Sequence, residues 1–343
     1  MLNTEGILKF DSLKSFKDHS MKSKISLLLA IVMIAFATTQ CKKKKAEESP
    51  AEEPPITPAG PVLTTIAEVF TVAGSPTQSY TVSATSGMTL NVNNVIIEIP
   101  ANSFETTSSG TVSGVVDVKV RTILTKRQVI LSGASGGTSN SKLVTTKGCV
   151  KVTASQNTQS LRLVPAATVH VKVPEGPSFP PSTQKFYAGK ISASDSTLIW
   201  SLGTDVSNIP PALDTANATF QHNATLDSLK WLNVGTVWDS LTTNKGPVIV
   251  KVDGSQFTKA NCAIYLSLNG SNITIGALTE IFNGTYRISN IPNGRGVTLV
   301  AIAIINGQYY SAIQTTITGA AFYSLNLVPI SLSQLQTNLD ALP

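Results

Sequence analysis

Apolar and polar residues alternate along much of the chain after residue 62. In residues 95–99, 116–120 and 169–173, apolar side chains occupy every second position. A period of two is typical of strands that have one face on a core and the other face in water. Short clusters of Gly, Asn, Ser and Pro separate these segments at intervals that suit a sandwich or a barrel. The pattern predicts an all-β protein.

The predicted strands fall into two groups, at residues 63–174 and 245–330. The segment between them, 175–244, has few apolar runs and is predicted to be a connecting segment. Near the C-terminus, four leucines have helical spacing: Leu332, Leu335, Leu339 and Leu342. Ser331 can cap such a helix, which is predicted over residues 331–343. We therefore expect two tandem antiparallel β-sandwich domains and a short C-terminal helix.

The beginning of the chain has the pattern of an export signal. Lys22 and Lys24 precede an apolar run at positions 25–37. The run falls within the roughly 7–15 residues of a secretory signal and is shorter than the roughly 18 needed to span a bilayer. Cys41 follows almost directly, as in the signal peptides of bacterial lipoproteins, which this segment resembles. The resemblance implies that Cys41 carries the lipid and becomes the mature N-terminus.

The flanks of this segment leave an alternative open. Thr38 and Gln40 stand where the usual lipoprotein motif has Leu and a small residue, and four lysines at 42–45 oppose translocation. The alternative is a cytoplasmic or transmembrane N-terminus in which the cysteine is incidental. The length and position of the apolar run favour export.

Acidic residues divide the leader in two. Glu5, Asp11 and Asp18 lie in residues 1–20, whereas export signals are poor in acids before the apolar run. Residues 1–20 are therefore predicted to be an upstream extension, and residues 21–40 the signal peptide. Residues 41–62 combine a charge block with several prolines and are predicted to be a disordered tether.

Charged residues are few, and the positive charge is concentrated in the first predicted domain. Charged residues make up 13% of the chain, against about 25% in an average protein, as suits exported β-proteins. Residues 63–174 contain nine basic and four acidic residues, a net charge of +5, whereas residues 175–343 contain eight and nine, a net charge of −1. The hypothesis is a patch for an anionic ligand such as lipopolysaccharide or a polyanionic glycan, formed by Lys119, Arg121, Lys126 and Arg127. The alternative is a solvated face. Nucleic acid is not an expected partner.

Sequence motifs provide little evidence for catalysis. Residues 133–137 match the G-x-S-x-G motif of hydrolases, with Ser135 as nucleophile and His222 as a possible base. That motif needs a strand before it and a helix after it, and residues 138–141 do not start a convincing helix, so a loop is expected. The sequence contains no H-E-x-x-H, C-x-x-C or EF-hand pattern. We expect no catalytic residue, cofactor or metal.

Two cysteines remain besides Cys41. Cys149 and Cys262 lie in different predicted domains, so two buried free thiols are favoured over the disulfide that an oxidising periplasm would permit. Trp231 and Trp238 lie in the predicted connecting segment. They are expected to pack between the domains, since large aromatic residues dominate such interfaces.

Several segments resemble known protein modules. The sequences IEIPANSF at 97–104, GTVSGVVDVKVRTILTKRQVILSG at 110–133 and TSNSKLVTTKGCVKVTA at 138–154 resemble a recurrent PANxF-type module of uncharacterised Bacteroidota lipoproteins. The sequence GTYRISNIPNGRGVTLVA at 284–301 is similar to the transthyretin-like, carboxypeptidase-regulatory fold. This resemblance implies β-domains at the cell envelope and no particular activity.

These patterns together predict a protein lipid-anchored to the outer membrane, on its periplasmic or cell-surface face. The expected function is binding, adhesion or scaffolding without catalysis. The alternative is an accessory lipoprotein subunit of a glycan-uptake or envelope-maintenance complex. The expected partners are the membrane, through the lipid, and a glycan or an envelope protein.

Overall fold

A computed structural model describes the following residues: 62–134, 143–176, 184–191, 198–202, 206–214, 219–237, 243–270, 274–277, 279–319 and 322–343. They belong to the unit Gly60–Pro343. Cys41, the predicted signal peptide and the predicted tether up to residue 61 lie outside the described residues.

Most of the described chain is strand. The first strands in chain order are β1 (Thr77–Ser83), β2 (Met88–Val92), β3 (Val95–Ile99), β4 (Phe104–Thr106), β5 (Val115–Ile123), β6 (Val144–Gln156), β7 (Gln159–Leu163), β8 (Val169–Gly176), β9 (Lys185–Ile191), β10 (Leu198–Leu202), β11 (Val206–Asp214), β12 (Thr219–Leu226) and β13 (Trp231–Val237). The later strands are β14 (Lys245–Val252), β15 (Cys262–Leu268), β16 (Thr274–Ala277), β17 (Thr279–Phe282), β18 (Thr285–Pro292), β19 (Gly296–Ile305), β20 (Gln308–Ile317), β21 (Tyr323–Leu325) and β22 (Val328–Ile330). Three helices accompany them: α1 (Ile66–Val72), α2 (Lys126–Leu131) and α3 (Leu332–Asp340).

The first sandwich packs two antiparallel sheets face to face. One sheet has neighbouring strands β1, β5, β6, β13, β9 and β10, and the other has the order β11-β12-β8-β3-β2. Alternate residues of both sheets form the core, as the period of two requires. Fully buried examples are Ile97, Val118, Val152 and Val171.

The second sandwich is built on a continuation of the same sheet. Strand β6 is 13 residues long, and Thr146 near its start pairs with Thr274 of β16. From there the sheet continues through β15, β19, β20 and β22. A second sheet, β17-β18-β14-β21, covers its inner face, and β14 pairs with β21 in parallel.

A layer of three short helices covers the outer face of β15 and β19. Thr65 and Thr125 cap α1 and α2 with reciprocal capping boxes, and Ser331 caps α3. The apolar side chains that this layer contributes are Ile66, Val69, Ile130, Leu131, Leu335 and Leu339. They pack against Tyr265, Val300 and Ile302. Since β15 and β19 are covered on both faces, their sequences lack polar alternation.

The predicted all-β class, with antiparallel sheets and a short capped C-terminal helix, is confirmed. The structure differs from the prediction between residues 175 and 244, where the expected connecting segment contains strands β9–β13. Strand β13 lies between β6 and β9, and its first five residues are buried. Burial on both faces removed the alternation by which a strand is recognised in sequence. Helices α1 and α2 were missed because each is shorter than two turns.

Candidate functional site

The predicted anionic-ligand patch separates into two pairs of residues. Lys126 is 7% exposed, and its Nζ donates hydrogen bonds to Leu268 O, at 3.0 Å, and to Pro343 O. Burial lowers the pKa of this ammonium group. Arg127 Nη1 lies 2.7 Å from Asp340 Oδ2. Lys126 and Arg127 therefore attach α2 to the C-terminal segment, and the sequence prediction of a single four-residue patch needs correction.

Lys119 and Arg121 lie on the outer face of the first sandwich, where the structure adds a third cation. Lys151 of β6 is directly opposite Arg121 of β5 in the antiparallel ladder. Lys119 is exposed, and the other two side chains are half-buried. We call Lys119, Arg121 and Lys151 the basic strip. Lys151 is one of the nine basic residues in 63–174, but its place opposite Arg121 is not visible in the sequence, because the two paired residues are 30 positions apart.

The basic strip lacks internal charge compensation. Like charges directly opposite each other in a sheet repel, and no carboxylate among the described residues forms an ion pair with Arg121 or Lys151. Burial lowers the pKa of Arg121. Its Nε is buried without a hydrogen-bond partner in the described part of the chain. Asp117 lies two positions from Lys119 on the same strand, and its carboxylate accepts a long hydrogen bond, 3.5 Å, from Thr81 Oγ1.

An aromatic residue supports one end of the strip. Lys151 Nζ lies 5.5 Å from the centroid of the Trp231 ring, a cation–π distance. Trp231 is 8% exposed and packs with Trp200 and Tyr187 in a cluster on the outer face of the first sandwich. Trp231 therefore packs within this cluster and not between two domains as the sequence predicted, and Trp238 lies outside the described residues.

A second group of polar side chains lies between the sheets of the first sandwich. Glu175 Oε2 is 2.8 Å from His222 Nε2, and Glu175 Oε1 is 2.6 Å from Lys147 Nζ. Gln184 Nε2 donates a longer bond, 3.4 Å, to the same carboxylate. The side chains of His222 and Glu175 are only 5% and 7% exposed. We call Glu175, His222, Lys147 and Gln184 the buried ionic cluster.

Electrostatics keep the central carboxylate of this cluster charged. Burial raises the pKa of Glu175, but hydrogen bonds and charges from His222 and Lys147 outweigh it, so the pKa lies below its ordinary value. Sequence reasoning missed Glu175 as the partner of His222. The available signal was its spacing, since Glu175 follows Val171 and Val173 at alternate, inward-facing positions of β8.

A carboxylate that orients a histidine is also found in hydrolases, so the surroundings of His222 are informative. Its ring packs edge-on against Phe186, with the centroids 6.2 Å apart. Among the described residues, no hydroxyl or thiol hydrogen-bonds to this ring. Ser135, the nucleophile of the G-x-S-x-G hypothesis, lies outside them. The contacts present serve to join the two sheets.

The two cysteines and the other possible ligand groups of the described residues provide no sign of catalysis or metal binding. Cys149 and Cys262 are both free and buried, as the sequence predicted. Burial raises the pKa of Cys149 and raises that of Cys262 to about 12, so both are protonated, inert thiols at neutral pH. In the part of the chain that the structure describes, no three His, Cys, Asp or Glu residues are grouped to hold a metal ion. Within the same residues, no helix is long and apolar enough to cross a bilayer.

Comparisons with known proteins do not assign a family. No protein-family model, no curated protein and no solved structure matches the chain.

Proposed function

We propose that this chain is a lipid-anchored outer-membrane protein that acts in binding, adhesion or scaffolding at the cell envelope, without catalysis. The observation that carries the proposal is the basic strip. Its cations oppose one another on an outer sheet face, and an anionic partner would relieve their repulsion. The support for the anchor is the sequence around Cys41, which precedes the described body by 21 positions.

The chemistry of the strip favours a carboxylated or phosphorylated glycan. Arg121 contributes a permanent positive charge, while its Nε is buried and its Nη2 lies beside the main chain at Gly74. Lys119, two positions away on the same strand, and Lys151, directly opposite on β6, add two point charges. Trp231 is too buried to provide a sugar-stacking platform, so charge rather than ring stacking is expected to dominate. Such binding weakens as salt screens the charges.

Binding to a defined polyanion tests the proposal. We would titrate the full chain, in detergent, with polygalacturonate and compare the double variant Lys119→Glu/Lys151→Glu with the parent. The matched control is Lys251→Glu/Lys259→Glu, which makes the same charge change at exposed lysines of the second sandwich. We expect the strip variant to weaken binding at least about tenfold, or about 1.4 kcal/mol, and the control to leave it nearly unchanged.

Two results would contradict the binding proposal. Equal weakening by both double variants would mean that the attraction depends on net charge alone. If the parent did not bind polygalacturonate at low salt, a polyanionic glycan would be rejected as the ligand. The anchor is tested separately with Cys41→Ser in cells. We expect this variant to leave the membrane fraction. Its retention there would overturn the lipid anchor without affecting the binding result.

A further inference from the structure

Strand β20 has an open edge. It pairs with β19 along its whole length, whereas β22 covers only residues 309–311 on its other side. Among the residues that the structure describes, positions 312–317 have no strand partner on that second side. A groove of about 500 Å³ lies along this edge, lined in part by Ile313, Val328, Ile330 and Asn338. An unpaired edge of this kind is a template for an added strand.

The backbone groups that face the open side can be identified. Thr318 N donates to Arg295 O at 2.9 Å, continuing the ladder to β19. In an antiparallel ladder, the backbone groups of successive residues point to opposite sides of the strand. The N–H and C=O groups of even-numbered positions of β20 therefore bond to β19, and those of odd-numbered positions face the open edge, which we call outward-facing. Tyr323 Oη agrees with this assignment, since it donates to Ile317 O at 2.9 Å from the open side. The outward-facing residues beyond β22 are Ile313, Thr315 and Ile317.

The alternate positions of this edge are symmetric about Thr315. Isoleucine stands two positions before it, at Ile313, and two positions after it, at Ile317. In an antiparallel pair of identical edges with a two-fold axis at Thr315, each Thr315 faces its copy and each Ile313 faces Ile317 of the second copy. In that register the hydrogen-bonded pairs are formed by residues 313, 315 and 317, whose backbone groups face the open side, which allows about six backbone hydrogen bonds, and Gln314 opposes Thr316 at the intervening positions. Thr–Thr pairs and pairs of β-branched side chains are favourable cross-strand neighbours.

The edge carries none of the sequence features that block edge pairing, although Tyr323, Leu325 and Asn326 of the following segment lie beside part of it. Residues 312–317 contain no charge and no proline, and the β19–β20 ladder has no register shift. Ile313 and Ile317 are 38% and 65% exposed. The edge strand β17 exposes Phe282 as well, but it carries Glu280 and a register shift. Strand β1 is uncharged but presents mainly threonine and serine to solvent.

We propose that two copies of this chain dimerise by antiparallel pairing of β20 with β20 of the second copy, centred on Thr315. The pairing extends the sheet of each second sandwich across the two-fold axis. The hydrogen bond from Tyr323 to Ile317 O can persist, because a carbonyl oxygen has two lone pairs. This dimer does not depend on the anionic ligand, since the basic strip lies on the first sandwich.

A cysteine at the two-fold axis tests the register. In the dimer, the two Thr315 Cα atoms are about 5.5 Å apart, within disulfide range. We would express the full chain carrying Thr315→Cys in cells, oxidise mildly and examine the product by non-reducing electrophoresis. The matched control is Thr81→Cys, an exposed threonine on the edge strand β1. We expect a disulfide-linked homodimer from Thr315→Cys at a yield at least tenfold above that of Thr81→Cys.

A second variant places a charged side chain on the open edge of β20, where it should block pairing with another copy. Ile317→Lys, at a largely exposed position, is expected to halve the mass of the detergent-extracted full chain measured by light scattering, and to abolish cross-linking through Thr315→Cys. Equal cross-linking by the two cysteine variants, or a dimer mass that Ile317→Lys does not change, would overturn the proposal. The proposal would also be overturned if the parent were monomeric and the Thr315→Cys variant formed a disulfide with a different polypeptide. That result would assign the edge to the other polypeptide.

Discussion

The two sandwiches are joined by one continuous sheet, yet their interiors differ in chemistry. The first contains the buried ionic cluster, with a charged carboxylate between its sheets. The core of the second is formed by apolar side chains together with Cys262, Tyr286 and Tyr323. Burial raises the pKa of Tyr286, an effect that nearby Cys262 and Glu280 reinforce, so the hydroxyl stays neutral. Both sandwiches are packed around apolar side chains, and the first adds a buried ionic contact between its sheets.

This difference determines how each sandwich responds to change. Removing a buried carboxylate takes the hydrogen-bond acceptor from its buried and half-buried partners. Removing apolar volume creates a cavity whose cost does not depend on pH. The first sandwich should therefore be sensitive to charge and acid, and the second to side-chain volume.

The largest effect is expected from Glu175→Ala. It leaves His222 and Lys147 without their carboxylate, and we expect the free energy of unfolding to fall by about 3–5 kcal/mol in urea titrations. Glu98→Ala is the control, because Glu98 pairs with Lys172 at the surface, where each side chain is about one-third exposed. That pair should contribute less than about 1 kcal/mol. If both variants lost the same free energy of unfolding, the buried ionic cluster would contribute no more than a surface ion pair, and the contrast between the two sandwiches would be wrong.

Leu266→Ala examines the packing of the second sandwich. Leu266 is fully buried in its core, so we expect a loss of about 2–5 kcal/mol in the free energy of unfolding. The loss should be the same at pH 5 and pH 7, since no titratable group is removed. Leu202→Ala, at a position 57% exposed, should cost about 0.5 kcal/mol or less. A strong pH dependence of the Leu266→Ala loss would contradict the comparison.

A smaller effect is expected from acid. The pKa of Glu175 is lowered in the folded state, so its contribution to stability is present above the ordinary glutamate pKa, about 4.3, and is lost as the pH falls towards the lower folded value. Comparing the parent with Glu175→Gln by urea unfolding from about pH 6 to about pH 3 isolates this contribution. The stability difference between them should shrink as the pH falls. A difference that grows with acid would mean that the pKa of Glu175 is raised.

The smallest effect is expected at the surface of α2. Arg127→Ala removes a partly exposed ion pair with Asp340 and should lower the free energy of unfolding by less than about 1 kcal/mol. It should also leave polygalacturonate binding unchanged, since Arg127 is outside the basic strip. Weakening of that binding as large as that of Lys119→Glu/Lys151→Glu would restore the four-residue patch predicted from the sequence.

Local pattern was enough to predict several parts of this structure. Alternation at 95–99 and 169–173 predicted β3 and β8, because each has one buried and one open face. Leucine spacing and Ser331 predicted α3 and its cap, since both depend on residues within two turns. These features are determined over a few neighbouring positions, which a sequence displays directly.

The candidate sites were only partly predictable. Lys119 and Arg121 were identified as basic residues of one strand, and both belong to the basic strip. Lys126 looked equally available, because nothing near it in sequence shows that its ammonium group reaches Leu268 O, 142 positions away. Its burial depends on how α2 packs against the sheet and the C-terminal segment.

By itself, the sequence determined the strand-rich class, the C-terminal helix and the buried, unpaired state expected of two cysteines. Only the tertiary structure decided that strands β9–β13 belong to the first sandwich, and that Glu175 meets His222 across 47 positions. The physical reason is the range of the interactions. Alternation and capping act between near neighbours, whereas sheet pairing and buried ion pairs join residues that only the completed fold brings together.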